Sequence, residues 1–304
     1  MAKAVFTTKL SPAYDDLPEE RYHFPRTYLR QVERAVGDQI VYYEPRRGTA
    51  DTASRGGRQV YFAVARVTGI AADPHNPDLF YASVDSYLNL DTLVPFRSES
   101  GTFESMLTRP DGGTSKGAFG RSVRIVPEHE FAAILAAGFH ADPWEATVPS
   151  PGSDVMPGFA EEPLEFERPL VEQTLLRPFR DRAFRRAVRL AYDNRCAVTG
   201  LKLINGGGRP EVQAAHIKPV ADKGPDSVRN GLALSGTIHW LFDRGLISVA
   251  EDLTILRAKD SIPESIERLL HPSGRLILPS DPTQRPHPKF LQHHRELFER
   301  KQAG

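Results

Sequence analysis

Along residues 181–301 the apolar positions switch between helical and strand rhythm several times. Phe184, Ala187, Val188 and Ala191 recur at helical spacing over 181–192, with Arg182, Arg185, Arg186 and Arg189 forming a basic stripe on the same helix. An apolar strand over 212–220 is ended by Pro219, Gly224 and Pro225 mark a turn, and Ser235 caps a helix carrying His239 and Asp243. One strand, one loop and one helix therefore converge. The words GLISV and LTIL then read as a hairpin around Glu251 and Asp252, and 262–270 and 289–301 read as bracing helices.

The first half of the chain has another texture. Pro25 starts a helix through Tyr28, Val32 and Val36, Gly37 and Asp38 turn the chain, and 39–43 reads as a strand. Strands over 59–70, 79–90 and 122–126 and a helix over 128–137 follow, which makes an α+β domain that a small barrel would satisfy. Between the halves lies a segment rich in proline: Pro143, Pro149, Pro151, Pro157, Pro163 and Pro169 oppose regular structure there. The reading is a domain over 1–140, a linker over 141–176 and a second domain over 177–304.

The convergence point carries chemistry. His239 and Asp243, four apart on a helix, share a face and can offer a nitrogen and an oxygen to one divalent ion, Mg²⁺ or Mn²⁺. A neutral imidazole at His216 could take a proton from water attacking a phosphodiester, and Asn230 has the donors and acceptor to tie the loop to the strand. Charge adds to this: 177–230 holds twelve Lys or Arg against five acids, a net +7, while 141–176 holds one Arg against eight acids, a net −7. A basic module follows an acidic linker, although the whole chain has zero formal net charge.

The segments RDRAFRRAVRLAYDNRCAVTGL, AAHIKP, RNGLALS, HWLFDRGLI and the trailing HREL resemble the HNH endonuclease family, whose motif is a ββα-metal fold. The resemblance covers about 179–298. It implies His216 as general base, Asn230 as structural asparagine, His239 as metal ligand and Asp243 as a second helix ligand, with DNA as partner and Arg182, Arg185, Arg186, Arg189 and Lys218 on its backbone. Ala215 stands where many members carry another ligand. Cys196 is the only cysteine, so no structural zinc of the paired-cysteine type is expected.

The segments RYHFPRTYL, VGDQIVYYEP and QVYFAVARVTGI are similar to the PUA-like superfamily, whose EVE, ASCH and SRA-type barrels accommodate modified or flipped bases. Eight of nine tyrosines precede residue 90, and aromatic faces can hold an extruded base. Tyr22, Phe24, Tyr42, Tyr43 and Asp85 are the candidates for that pocket. The stretch RRGTADTASRGGR over 46–58 reads as a loop able to follow phosphates, or as a plain hairpin connection.

Together these imply a modification-dependent, restriction-type DNA endonuclease. Two alternatives stay open: an HNH nuclease acting on unmodified DNA or RNA, and a non-catalytic nucleic-acid-binding protein with a thinned metal site. No apolar run reaches membrane-spanning length and the first residues lack a signal peptide's apolar region, so a cytoplasmic protein is expected, without a membrane partner. A double-strand cut requires two active sites, which leaves a homodimer open.

Overall fold

The computed structural model describes residues 2–8, 16–45, 57–98, 101–139, 170–259 and 261–303. Tyr14, the 46–56 part of the arginine-rich stretch and the 141–169 part of the expected linker lie outside the described residues.

The N-terminal half is built on six strands, β1 (Ala4–Thr7), β2 (Arg21–Pro25), β3 (Gln39–Glu44), β4 (Val60–Ala72), β5 (Leu79–Pro95) and, after the short pair β6 (Arg97–Ser98) and β7 (Gly101–Thr102), β8 (Val123–Ile125). Helix α1 (Leu29–Ala35) follows β2, and α2 (Lys116–Phe119) and α3 (Glu128–Gly138) flank β8. The helix expected from Pro25 starts later. Pro25 ends β2, a 3₁₀ turn covers Arg26–Tyr28, and α1 follows. β1 and β2 were not anticipated at all.

The sheet order is β2-β5-β4-β3-β1-β8, antiparallel except where β1 runs parallel to β3. Register shifts along β4 and β5, and a left-handed Ser86 at φ 52°, bend this long hairpin. The sheet curls as a result: the rings of Phe6 on β1 and Tyr22 on β2, separated by three intervening strands, lie 4.7 Å apart. Both faces are covered, so successive residues of β3 enter different cores. Ile40 and Tyr42 pack with Tyr22, Phe24, Val32 and Ala35, while Val41 and Tyr43 pack with Phe131, Ile134 and Leu135 of α3.

After α4 (Leu170–Gln173), Val171 enters the core beneath α3, and the Thr174 hydroxyl accepts from Gln39 at 2.6 Å, so both side chains pack against the N-terminal half. Helix α5 (Arg177–Ala191), with Pro178 in its first turn, then serves both halves. Ala183 is buried in the N-terminal core with Phe179 packed against it, whereas Phe184 and Val188 belong to the C-terminal core. That core also takes in the hairpin of β9 (Gln213–His216) and β10 (Gly231–Leu234), α6 (Gly236–Asp243), the hairpin of β11 (Ile247–Val249) and β12 (Ile255–Arg257), and the closing α8 (Pro288–Gln302); the single-turn α7 (Glu264–Glu267) precedes α8. The fold is α+β in both halves. No helix of the described residues is long and apolar enough to cross a membrane.

Gly231 sits where α5 crosses β10. A Cβ there would lie 2.3 Å from Val188 Cγ2 and 3.2 Å from the Phe184 ring. Gly231→Ala should therefore lower stability by about 1–3 kcal/mol through overpacking, read as a drop in the urea midpoint; an unchanged midpoint would show that α5 can lift without cost.

Candidate active site

β9 ends on His216, which faces Gly231 across the hairpin. The loop that returns from β9 to β10 crosses itself closely: a Cβ on Gly224 would fall 1.8 Å from the Lys218 carbonyl oxygen, which leaves room for glycine alone. Asn230, fully buried, staples this loop. Its side-chain oxygen accepts from Lys218 N at 2.9 Å, and its amide donates to the carbonyls of Lys218 at 3.0 Å and Pro225 at 2.9 Å. Four loop ends are thereby satisfied by one side chain and its backbone, since Ile217 N also donates to Asn230 O at 2.9 Å.

The His216 ring lies flat on Phe184, centroids 3.9 Å apart at 12°. Its Nε2 is 2.9 Å from Oδ1 of Asp226, a carboxylate in the same loop that is 1% exposed. Burial pushes the Asp226 carboxyl up, but the His216 hydrogen bond and the charges of Arg180 and Arg177 outweigh it and hold it below the usual carboxylate range.

On α6, His239 and Asp243 come within 3.5 Å, Nε2 to Oδ2, and Gln213 of β9 fixes the other ring nitrogen at 2.8 Å. The Ser235 hydroxyl makes no cap bond; Glu211 takes that role, accepting from Gly236 N at 2.8 Å. No hydrogen bond, ion pair or ring contact joins His216 to His239 or Asp243. Behind α6, His294 of α8 stacks on Phe242 at 3.6 Å, its Nε2 donating to the Phe242 carbonyl and its Nδ1 accepting from Ser248.

A divalent ion is the group the donor chemistry at α6 suggests. Ala215 is fully buried and offers nothing, and among the described residues no three His, Cys, Asp or Glu side chains cluster as a metal cage. His239 and a largely exposed Asp243 offer one nitrogen and one oxygen, so an ion held there would keep most of its own water.

Residues 196–250 match the HNH endonuclease family. The HNH resemblance of the C-terminal half thus holds over the segment that contains His216, Asn230, His239 and Asp243. Among solved structures the chain is similar to a modification-dependent TagI restriction endonuclease, at 16% identity over 96% of this chain and 80% of that one with a TM-score of 0.32. It is also similar to the Type IV phosphorothioation-dependent restriction endonuclease ScoMcrA, at 15% identity over 99% of this chain and 51% of that one with a TM-score of 0.21. The chain spans about half of the latter. No curated protein matches it.

Several predicted site residues are placed differently from expectation. The basic stripe on α5 divides: Arg182 and Arg185 are exposed, but Arg186 turns to Asp91 of β5, and the preceding Arg177 and Arg180 are taken by Asp226. Arg189 is half-buried. Lys218 is 3.5 Å from Glu20 of the other half, a carboxylate it shares with Lys289. The aromatic pocket does not form. Tyr22, Phe24 and Tyr42 fill the core on one face of the sheet, Tyr43 fills the opposite core, and Asp85 lies outside both in a two-point ion pair with Arg66 at 2.7 and 2.9 Å. Aromatic side chains at alternating strand positions were taken up by packing.

Asp226, Phe184, Arg177 and Arg180 were missed as parts of the site. Asp226 and Asp222 look alike in the sequence between His216 and Asn230, and only the fold buries one of them.

The His294 ring is pushed down to about 4 from an ordinary 6.5, first by burial. Since the folded value lies below the unfolded one, the unfolded chain takes the proton first: this stabilisation is complete above pH 6.5 and is lost as pH falls toward 4. Asp226, already held below the carboxylate range, titrates outside that window. The loss from His294 should reach at most about 3 kcal/mol, and His294→Gln should be less stable at pH 7 with a flatter decline toward pH 4 in urea unfolding; equal slopes would remove His294 as the cause.

Proposed function

We propose that this chain is a divalent-metal-dependent DNA endonuclease of restriction type that selects DNA carrying modified bases. The observation that carries the nuclease reading is the HNH match over 196–250, because it spans a histidine on a rigid strand and a histidine–aspartate pair on the following helix. Modification dependence rests on domain pairing, an HNH segment joined to a curled-sheet domain resembling PUA-like barrels, which is an analogy between folds. In this reading 1–140 reads the target and 177–304 cuts it.

The chemistry follows from the residues. His216 accepts a proton from water as the water oxygen bonds to phosphorus; the bond from phosphorus to the leaving sugar oxygen breaks, and that oxygen is protonated from solvent. Asn230 keeps the loop closed so that the ring stays aimed. His239 and Asp243 would hold the ion, which when bound would stabilise negative charge on the scissile phosphate. Arg182 and Arg185, exposed on α5, supply attraction to the nucleic-acid backbone.

Ala215 favours a second reading, a DNA-binding protein without cleavage, since it leaves only two side-chain donors on α6. Nicking of supercoiled plasmid in Mg²⁺ or Mn²⁺, with matched modified and unmodified DNA, separates the readings. His216→Ala should cut about 10²–10⁴-fold more slowly with DNA binding retained, and His239→Ala should need more metal. Absence of metal-dependent nicking by the wild type would favour the binding protein, and equal nicking of both DNAs would remove modification dependence. Replacing Arg182 and Arg185 by glutamine should shallow the log–log salt dependence of binding by roughly two while leaving the preference between the two DNAs unchanged; an unaltered slope would take α5 off the DNA.

A further inference from the structure

Asp226 has more partners than its charge requires. Arg177 Nη1 lies 3.1 and 3.0 Å from its two oxygens and Arg180 Nη2 2.6 Å from one of them, so two guanidinium groups already compensate one buried carboxylate. The third partner is His216, whose side chain is 19% exposed and thus reaches the surface that Asp226 cannot. An ionised carboxylate only accepts hydrogen bonds. The nitrogen facing it must therefore carry a proton, and in a neutral ring that leaves Nδ1 bare.

Two restraints act on the same imidazole. Phe184, stacked at 3.9 Å, fixes the plane of the ring, and Asp226 fixes which nitrogen is protonated and how the ring is turned within that plane. The backbone behind Asp226 is itself anchored in the other half of the molecule. Leu88 of β5 bridges to Asp226, Asn89 Oδ1 accepts from Val228 N at 2.9 Å, Ser227 donates to Glu19 at 3.0 Å, and Arg180 reaches from Asp226 to the Ser86 hydroxyl at 3.2 Å.

Building on the general-base reading of His216, we propose that Asp226 is its positioning residue: it holds the Nε2–H tautomer, so that Nδ1 is the atom that takes the proton from water. The proton leaves water for Nδ1 as oxygen bonds to phosphorus, and the imidazolium so formed is stabilised by the carboxylate on its far side. Asp226 itself stays ionised.

The test uses the full chain labelled with ¹⁵N-histidine. The chain has ten histidines, so the His216 signals are assigned as those missing from His216→Gln in a long-range ¹H–¹⁵N spectrum. The wild type should show His216 protonated on Nε2. In Asp226→Asn the side-chain amide can donate to Nε2, which should move the proton to Nδ1 and slow plasmid nicking by about 10²–10⁴-fold without changing the KM for DNA. Thermal unfolding establishes that this variant is folded, and should it not be, the wild-type spectrum decides alone. A wild-type proton on Nδ1 would overturn the proposal, as would a folded Asp226→Asn that keeps Nε2–H and nicks at the wild-type rate. Wild-type cleavage by His216→Ala would instead sink the general-base reading and the role of Asp226 with it; an inactive His216→Ala beside a fully active Asp226→Asn sinks only the latter.

Discussion

Helix α5 is the constraint on which the molecule depends, because it has to satisfy two cores at once. Phe179 and Ala183 form one pair four residues apart and Phe184 and Val188 another, and the five-residue offset between the pairs turns their stripes about 140° from each other. The first stripe is held by the curled sheet and α3, the second by the β9–β10 hairpin and the His216 ring. Moving α5 to improve either contact spoils the other, so the orientation of His216 is tied to the packing of a distant sheet.

The seam between the halves is polar where α5 is apolar. Arg186 meets Asp91, Arg229 meets Glu19 at 3.2 Å with Glu19 fully buried, and the backbone of Val228 is fixed by Asn89. Such pairs add little net stability, since desolvation offsets most of their attraction, but separating one partner from a buried charge costs about 3–5 kcal/mol. The seam therefore specifies one register between the halves more than it strengthens their union. Across it, acids of the N-terminal half, Glu19, Glu20 and Asp91, meet bases of the C-terminal half.

The sequence made the C-terminal elements legible because local signals were dense there. The apolar spacing from Phe184 to Ala191, the turn at Gly224 and Pro225 and the apolar runs marked α5, β9, the loop and the β11–β12 hairpin within a few residues. Contacts between distant segments left no such trace. The alternation of Phe184 with Val188 was readable, but Phe179 and Ala183 became a second stripe only because a sheet far away in sequence lies against them. β1 and β2 are four and five residues long, too short for a period to stand out, and their place in the sheet is set by partners many residues away. The tyrosines misled for a related reason. Alternation along a strand says that a side chain points to a face, and only the curl of the sheet decides whether that face is a cavity or, as for Tyr22 and Tyr42, a filled core.

The Leu88–Asp226 bridge changes what counts as an exchangeable part. A chimera joining a different N-terminal half to residues 177–304 would remove the strand, the asparagine and the acids against which the His216 loop is set. The transplanted unit that keeps the loop intact is thus discontinuous: residues 177–304 together with Ser86 to Asn89 of β5 and the turn bearing Glu19 and Glu20. Recombination in nature and domain grafting in the laboratory meet the same boundary, which follows the seam between side chains instead of any single cut in the polypeptide.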